Sequence, residues 1–473
     1  MSRIEVDAIG KLNVDSEAYY GIQSLRAKEN FHITGRCMHP ELIKSLGKIK
    51  KAAAITNRNA HMLSANIANA IMLACDEVIA GKLNDSFIVD AIQGGAGTSA
   101  NMNANEVIAN RAEEILGGHK GEYQLVHPND HVNMSQSTND VYPSAGKLTI
   151  VSLLPTLIQE LERLDNALLI KSQEFDSVLK MGRTQLQDAV PMRLGQSFHA
   201  YHSMISRDIN RIKIVEKEMH ILNMGATAIG TAINVSPIYL STIVNNISMV
   251  CNTTYTQAED LFDATQNLDG FVQVSAALKT LAINLSKLCN DLRLLSSGPR
   301  TGLGEINLPA RQNGSSIMPG KINPVIPEVV SQIAFQVIGN DCTISLAAEA
   351  GQLELNAFEP VLFDNLFESI ETLREGVKTL VDNCILGITA NKEHCKKEVE
   401  RSVGIVTALC PYIGYNASAT IAKEALRTDN SVAKLVVDKE LLKSDELAKI
   451  LDPYHMTEPA YSEDMDYLNV KEA

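Results

Sequence analysis

The sequence predicts a mainly α protein of three helical domains organised around a long central helix bundle. Three observations carry that expectation. Five stretches keep an apolar i, i+3, i+4 rhythm for much longer than the usual helix of about 11–12 residues. Aromatic residues are 5% of the 473-residue chain and Trp is absent, so the core is to be filled by Leu, Ile, Val, Ala and Met, as in packed helices. Linkers rich in Pro, Ser or Gly, fixed-period repeats and low-complexity tracts are all missing, so the domains are expected to pack rather than swing.

In chain order, residues 1–140 carry shorter apolar runs broken by Gly and Asn, which reads as an N-terminal mixed helical domain. Residues 141–394 hold the long helices. The first runs from Leu148 to Leu179, with Pro155 expected to kink or break it near its start. The clearest is Leu194, Phe198, Tyr201, Ile205, Ile209, Ile212, Val215, Met219, Leu222. Phe271 to Leu295 follows, closed by Ser297-Gly298-Pro299, and then Val329 to Ala350 and Phe358 to Leu386. Helices of this size are about 40 Å long at a rise of about 1.5 Å per residue, so they can only pack side by side. From 395 to 473 the pattern is of short helices, with Ser444 as a cap before Asp445-Glu446 and Pro453 and Pro459 as punctuation.

Composition limits the function classes. The formal net charge of −14 argues against nucleic acid or an anionic membrane as partner, since both need a basic surface. It leaves room for an anionic small molecule, because charges more than about 8 Å apart are largely screened at physiological salt. Met1-Ser2-Arg3-Ile4-Glu5-Val6-Asp7 is charged where a signal peptide is apolar, so a cytoplasmic location is expected. The eight cysteines form no C-x-x-C pair and read as free thiols.

Four polar segments interrupt or border the long helices and invite a functional reading: 94–106, 127–143, 182–191 and 313–328. Gly314-Ser315-Ser316-Ile317-Met318-Pro319-Gly320-Lys321-Ile322-Asn323 has two glycines for mobility, two hydroxyls, a cation and an amide. It is either a catalytic lid or a connector to a helix beginning near Pro324. It is not a phosphate-binding P-loop: five residues separate Gly314 from Gly320, and Ile322 stands where a metal-binding hydroxyl is needed. A serine in such a loop acts as a base only if N–H dipoles and a cation stabilise its alkoxide.

Gly95-Ala96-Gly97-Thr98-Ser99-Ala100 matches a dinucleotide fingerprint, but the strands of a βαβ unit are missing downstream. Neutral donors at a helix start, or ordinary capping, remain as readings of Thr98, Ser99 and Asn101. Ser135-Gln136-Ser137-Thr138-Asn139-Asp140 is either a donor cluster or a helix cap. His127 and His131 are spaced like a metal pair, but Pro128 disturbs the geometry and no further ligand completes a set.

Together the four segments resemble the fumarase and aspartase superfamily of lyases. Gly314 to Pro324 is similar to its signature, and the likeness extends from Ala18-Tyr19-Tyr20-Gly21 to Pro459-Ala460-Tyr461. Gly94 to Ser99, Ser137 to Asp140 and Ala347-Ala348-Glu349-Ala350-Gly351-Gln352-Leu353 resemble the ammonia-releasing branch that acts on aspartate. Gln185 stands where fumarases and some of the aspartate-acting enzymes carry His while others of the latter carry Gln, which weakens a hydratase reading on malate. A related ammonia-lyase on a substituted aspartate is the other alternative.

The resemblance implies that Ser315 takes the β-proton while Thr98, Ser137, Thr138 and Ser316 surround the β-carboxylate, which becomes an aci-carboxylate. Thr184, Lys321 and Asn323 are then expected at the α-carboxylate, and Asn139, Gln185 and Thr98 at the ammonium. The chemistry calls for no metal or organic cofactor, because the substrate's own carboxylate takes up the electrons. The family assembles as a homotetramer with a twenty-helix core, and each active site draws on three subunits.

Overall fold

The computed structural model describes residues 1–458, and these are mainly helical. The chain opens with strands β1 (Ser2–Val6) and β2 (Lys11–Asp15), an antiparallel hairpin pairing Ser2 with Asp15. Helix α1 (Ile22–Asn30) has no cap of its own. The buried Glu106 carboxylate replaces one, accepting from the backbone N–H groups of Gly21, Gln23 and Ser24 at 2.9, 2.8 and 3.0 Å. Helices α2 (Pro40–Asn59), α3 (Ala65–Ile79) and α4 (Thr98–Ile115) follow.

Next come α5 (Thr138–Glu174), the antiparallel hairpin β3 (Leu179–Thr184) and β4 (Gln187–Arg193), and α6 (Leu194–Val215). The two-residue strands β5 (Ile221–Leu222) and β6 (Thr256–Gln257) flank α7 (Pro237–Cys251). After the single turn α8 (Asp263–Gln266) come α9 (Asp269–Leu295), strand β7 (Ile306–Asn307), α10 (Val325–Glu349) and α11 (Glu359–Asn383). Strand β8 (Thr389–Ala390) pairs with β7, and short helices run from Lys392 to Thr457.

Two compact units emerge. One comprises Met1–Gln159, Asp208–Ile283 and Ile333–Glu375; the other comprises Glu160–Arg207, Asn284–Gln332 and the chain from Gly376 onward. In the first unit the Phe363 ring lies 5.2 Å from Tyr142 and 5.1 Å from Phe271, and a Cβ at Gly146 would overlap it. In the second, Phe198 contacts Phe175 and Tyr201 at 5.1 and 5.8 Å, and Leu409, Ile421, Val432 and Val436 are buried together with Met181.

The fold class is as expected, with differences at element ends. Helix α5 starts at Thr138 and not at Leu148, because Val141, Tyr142 and Ala145 bury the apolar face of a stretch that reads as polar. Pro155 does not end it. Leu153, Leu154, Leu157 and Leu161 around the proline are buried, and that packing outweighs the one lost backbone hydrogen bond. Helix α6 stops at Val215; Met219 and Leu222 keep their burial through a 3₁₀ turn and β5. Ser444 is the first helical residue, and the Glu446 carboxylate accepts from the Lys443 N–H at 3.2 Å.

One described helix, α5, is long and apolar enough to cross a membrane, but 72% of its most apolar window is buried within the protein. All eight cysteines are free. The expected similarity at Pro459-Ala460-Tyr461 lies outside the described residues.

Candidate active site

The first unit places Thr98, Ser137, Thr138 and Asn139 on two helix starts. Thr98 opens α4 behind Gly97, which sits at φ 82° with the Tyr142 ring where a Cβ would be. Only glycine fits there. Phe87-Ile88-Val89 forms no strand ahead of it, so the dinucleotide fingerprint has no sheet to belong to.

Ser137 to Asp140 is tied down by the fully buried Asp140. Its carboxylate accepts from the N–H groups of Ser137 at 3.0 Å and of Gly225 and Thr227 at 3.1 Å. Burial nevertheless pushes Asp140 up to about 6, against the pull of those N–H dipoles. Asn139 Nδ2 donates to the Ala228 carbonyl at 2.7 Å, which leaves its Oδ1 as an acceptor for a cationic group. Ser137 Oγ accepts from the Asn139 N–H at 3.2 Å.

Beneath this segment lies Lys50, fully buried on α2. Its Nζ donates to Asn133 Oδ1 at 2.8 Å and Gln136 Oε1 at 3.0 Å, and burial lowers it to about 7. Sequence reasoning missed it, although a signal existed: Lys50 stands on the apolar face marked by Leu42, Leu46, Ile49 and Ala53. His127 and His131 bond to the backbone, His131 Nδ1 accepting from the His127 N–H at 2.9 Å. Among the described residues, no group of three or more His, Cys, Asp or Glu is arranged to hold a metal.

The second unit carries the other half of the expected set. Thr184 and Gln187 pair across the tip of the β3–β4 hairpin, and the two turn residues, Gln185 and Leu186, have φ values of 54° and 64°. Such a turn favours Asn-Gly, and each non-glycine residue there costs about 1–3 kcal/mol. Strain of that kind collects where side chains do chemistry. The hairpin is anchored by Glu305, fully buried, with Arg183 at 2.5 Å and Lys180 at 3.2 Å. Glu305 was also missed, and no local pattern marks it; its partners lie more than a hundred residues earlier.

Loop 314–323 closes on itself. The Gly314 N–H donates to the Lys321 carbonyl at 2.8 Å and Asn323 Nδ2 to the Gly314 carbonyl at 2.7 Å. A Cβ on Gly314 would lie 2.8 Å from the Asn323 backbone, so glycine is required. Ser315 Oγ accepts from the N–H groups of Ile317 at 3.3 Å and Met318 at 3.0 Å. These are the dipoles an alkoxide needs. Ser316 and Lys321 are exposed or partly so, as are the large apolar side chains Ile317 and Met318.

Loop 314–323, between long helices, thus holds a serine that accepts two N–H bonds, a lysine and an amide. The comparisons with known proteins narrow its reading. The lyase family model matches residues 10–339 and the fumarase C C-terminus model matches residues 405–458. An aspartate ammonia-lyase of Bacillus subtilis is 53% identical over 97% of this chain and 96% of its own length. One from Helicobacter pylori is 54% identical over 97% and 98%. A solved fumarate lyase:delta crystallin from Brucella melitensis superposes with a TM-score of 0.95 at 47% identity, covering 97% of this chain and all of that one. A class II fumarase from Schistosoma mansoni gives 0.93 at 36% identity, covering 97% of this chain and all of its own. This chain belongs to the fumarase/aspartase superfamily of lyases. Within it, the chain is a carbon–nitrogen lyase.

Proposed function

We propose that this enzyme reversibly eliminates ammonia from L-aspartate to give fumarate. The observation that carries the proposal is Ser315, whose oxygen accepts two N–H bonds from its own loop, on the same closed turn as Lys321 and Asn323. The names of relatives at 53–54% identity agree with it.

In this reading Ser315, as alkoxide, takes a proton from the β-carbon. The electron pair moves into the β-carboxylate, forming an aci-carboxylate to which Thr98, Ser137, Thr138 and Ser316 donate. Collapse of that species forms the C=C bond and breaks the C–N bond, the pair leaving on nitrogen as ammonia. The proton held by Ser315 passes to solvent. Donors placed in advance matter because each contributes about 10²–10³-fold in rate when it strengthens with the developing charge. Lys321, Thr184 and Asn323 hold the α-carboxylate, which keeps its charge throughout, and Asn139 Oδ1 and Gln185 hold the ammonium with Thr98.

The catalytic form is a homotetramer whose sites draw on three subunits, and the division into 1–140, 141–394 and 395–473 supplies donors, bundle and C-terminal cap. Exposure supports self-association. Phe335, Ile338, Cys342 and Leu346 form an exposed stripe at helical spacing on α10, with Phe335 at 62% and Leu346 at 63%. An exposed Ser315 loop also has to be dried before serine serves as a base.

The test is ultraviolet absorbance of fumarate, with L-aspartate and then with malate as substrate. Fumarate from aspartate alone supports the proposal; fumarate from malate alone identifies a hydratase instead. Gln185, where a hydratase would carry a histidine to activate water, favours the first outcome.

A further inference from the structure

Asn101 lies one turn into α4 and is 1% exposed. Its Nδ2 donates to Thr138 Oγ1 at 3.1 Å and to Asn133 Oδ1 at 3.2 Å, and that same Asn133 oxygen takes the bond from buried Lys50. The amide's own oxygen is buried without a hydrogen-bond partner. All of the side chain's bonding is therefore donation. Flipping the amide would aim an acceptor at two oxygens, one of them a carbonyl oxygen with no proton to give.

A hydroxyl that accepts a bond on one side still has its own proton to place, and it cannot place it toward the donor. Among the described residues, Thr138 Oγ1 donates to no other protein group, and the residue is 9% exposed. We infer that Asn101 is a positioning residue: by donating to Thr138 Oγ1 it turns the Thr138 proton outward, toward the substrate carboxylate on which negative charge builds. Lys50 supports the arrangement by filling the remaining acceptor capacity of Asn133, which fixes Asn101 in turn. The inference rests on the functional reading above, in which Thr138 faces that carboxylate.

An oriented donor that strengthens with developing charge acts on turnover more than on substrate binding. Asn101→Leu, which leaves the Thr138 hydroxyl free to rotate, is expected to lower kcat tenfold or more with KM within about threefold. In a Thr138→Val background the same substitution is expected to change kcat less than twofold, because the group through which Asn101 acts is gone. Asn101→Asp has the same shape but donates only when protonated, so its kcat is expected to fall as pH rises, relative to the Leu variant.

A full tenfold loss in the Thr138→Val background, or a loss confined to KM, overturns the proposal. Melting temperature and far-ultraviolet circular dichroism identify a variant that fails to fold, and if Asn101→Asp is such a variant the Leu cycle decides alone. Wild-type protein in the same fumarate assay keeps the two readings apart. Silence there refutes the functional proposal, whereas an active wild type with an additive cycle refutes only the role of Asn101.

Discussion

The donor segment of the first unit and the polar loops of the second are built on opposite principles. Ser137 to Asp140 is anchored within its own unit: buried Asp140 holds three backbone N–H groups, buried Asn101 holds Thr138, and the carbonyl of exposed Ala228 holds Asn139. The Ser315 loop and the Gln185 turn are exposed at their tips and held mainly by bonds within themselves or at their base. A segment tied to buried groups keeps its geometry without substrate, at the cost of burying charge. An exposed loop bears no such cost, and it needs another surface before its serine is dry. In the proposed mechanism the first supplies preorganised donors and the second the reactive groups, dried on assembly.

The largest expected effect lies in the exposed part. Ser315→Ala is expected to cut turnover by about 10³-fold or more while helicity and melting temperature stay unchanged, since the side chain anchors only its own loop. Near-normal ammonia release by that variant ends the base assignment.

In the buried part the expected loss is of stability. Lys50→Met leaves the partly buried Asn133 Oδ1 and Gln136 Oε1 without their donor, at a cost of about 1–3 kcal/mol. The pH dependence has a definite sign. Burial lowers Lys50 to about 7, whereas an unfolded lysine holds its proton to about 10, so the unfolded chain binds more protons in that window. The wild type then gains stability from about pH 7 to about pH 10 through this group, and the variant does not. Calorimetry of both proteins across that range should show their melting temperatures diverging; curves that converge contradict the assignment.

Lys321→Met comes next, with KM for the substrate expected to rise about 10- to 100-fold and kcat nearly unchanged, because the α-carboxylate is charged in both ground and transition states. An effect on kcat alone removes Lys321 from that role. The smallest effect is at the hairpin tip. Leu186→Gly relieves one positive φ and is expected to stabilise the protein by about 1 kcal/mol, read as a small rise in melting temperature. A fall in melting temperature means that exposed Leu186 makes contacts in the assembled protein worth more than the strain.

Much of this was legible in the sequence by itself. The helix class, the positions of the five long helices and the four polar segments follow from residue spacing and composition, because burial of an apolar face imposes a period along the chain. The glycines of the Ser315 loop read as mobility, whereas close approach of Asn323 is what requires Gly314. What the sequence did not reveal was decided by contacts between distant residues. Asp140 reads as part of a cap until Gly225 and Thr227 are seen bonding to it, and Glu305 means nothing until Arg183 and Lys180 reach it. The start of α5 at Thr138 depends on burial of Val141 and Tyr142, which no local propensity announces. Periodicity is a property of neighbours along the chain, whereas the satisfaction of a buried polar atom is a property of neighbours in space. Tertiary structure alone supplies the second kind, and with it the direction in which Thr138 presents its proton.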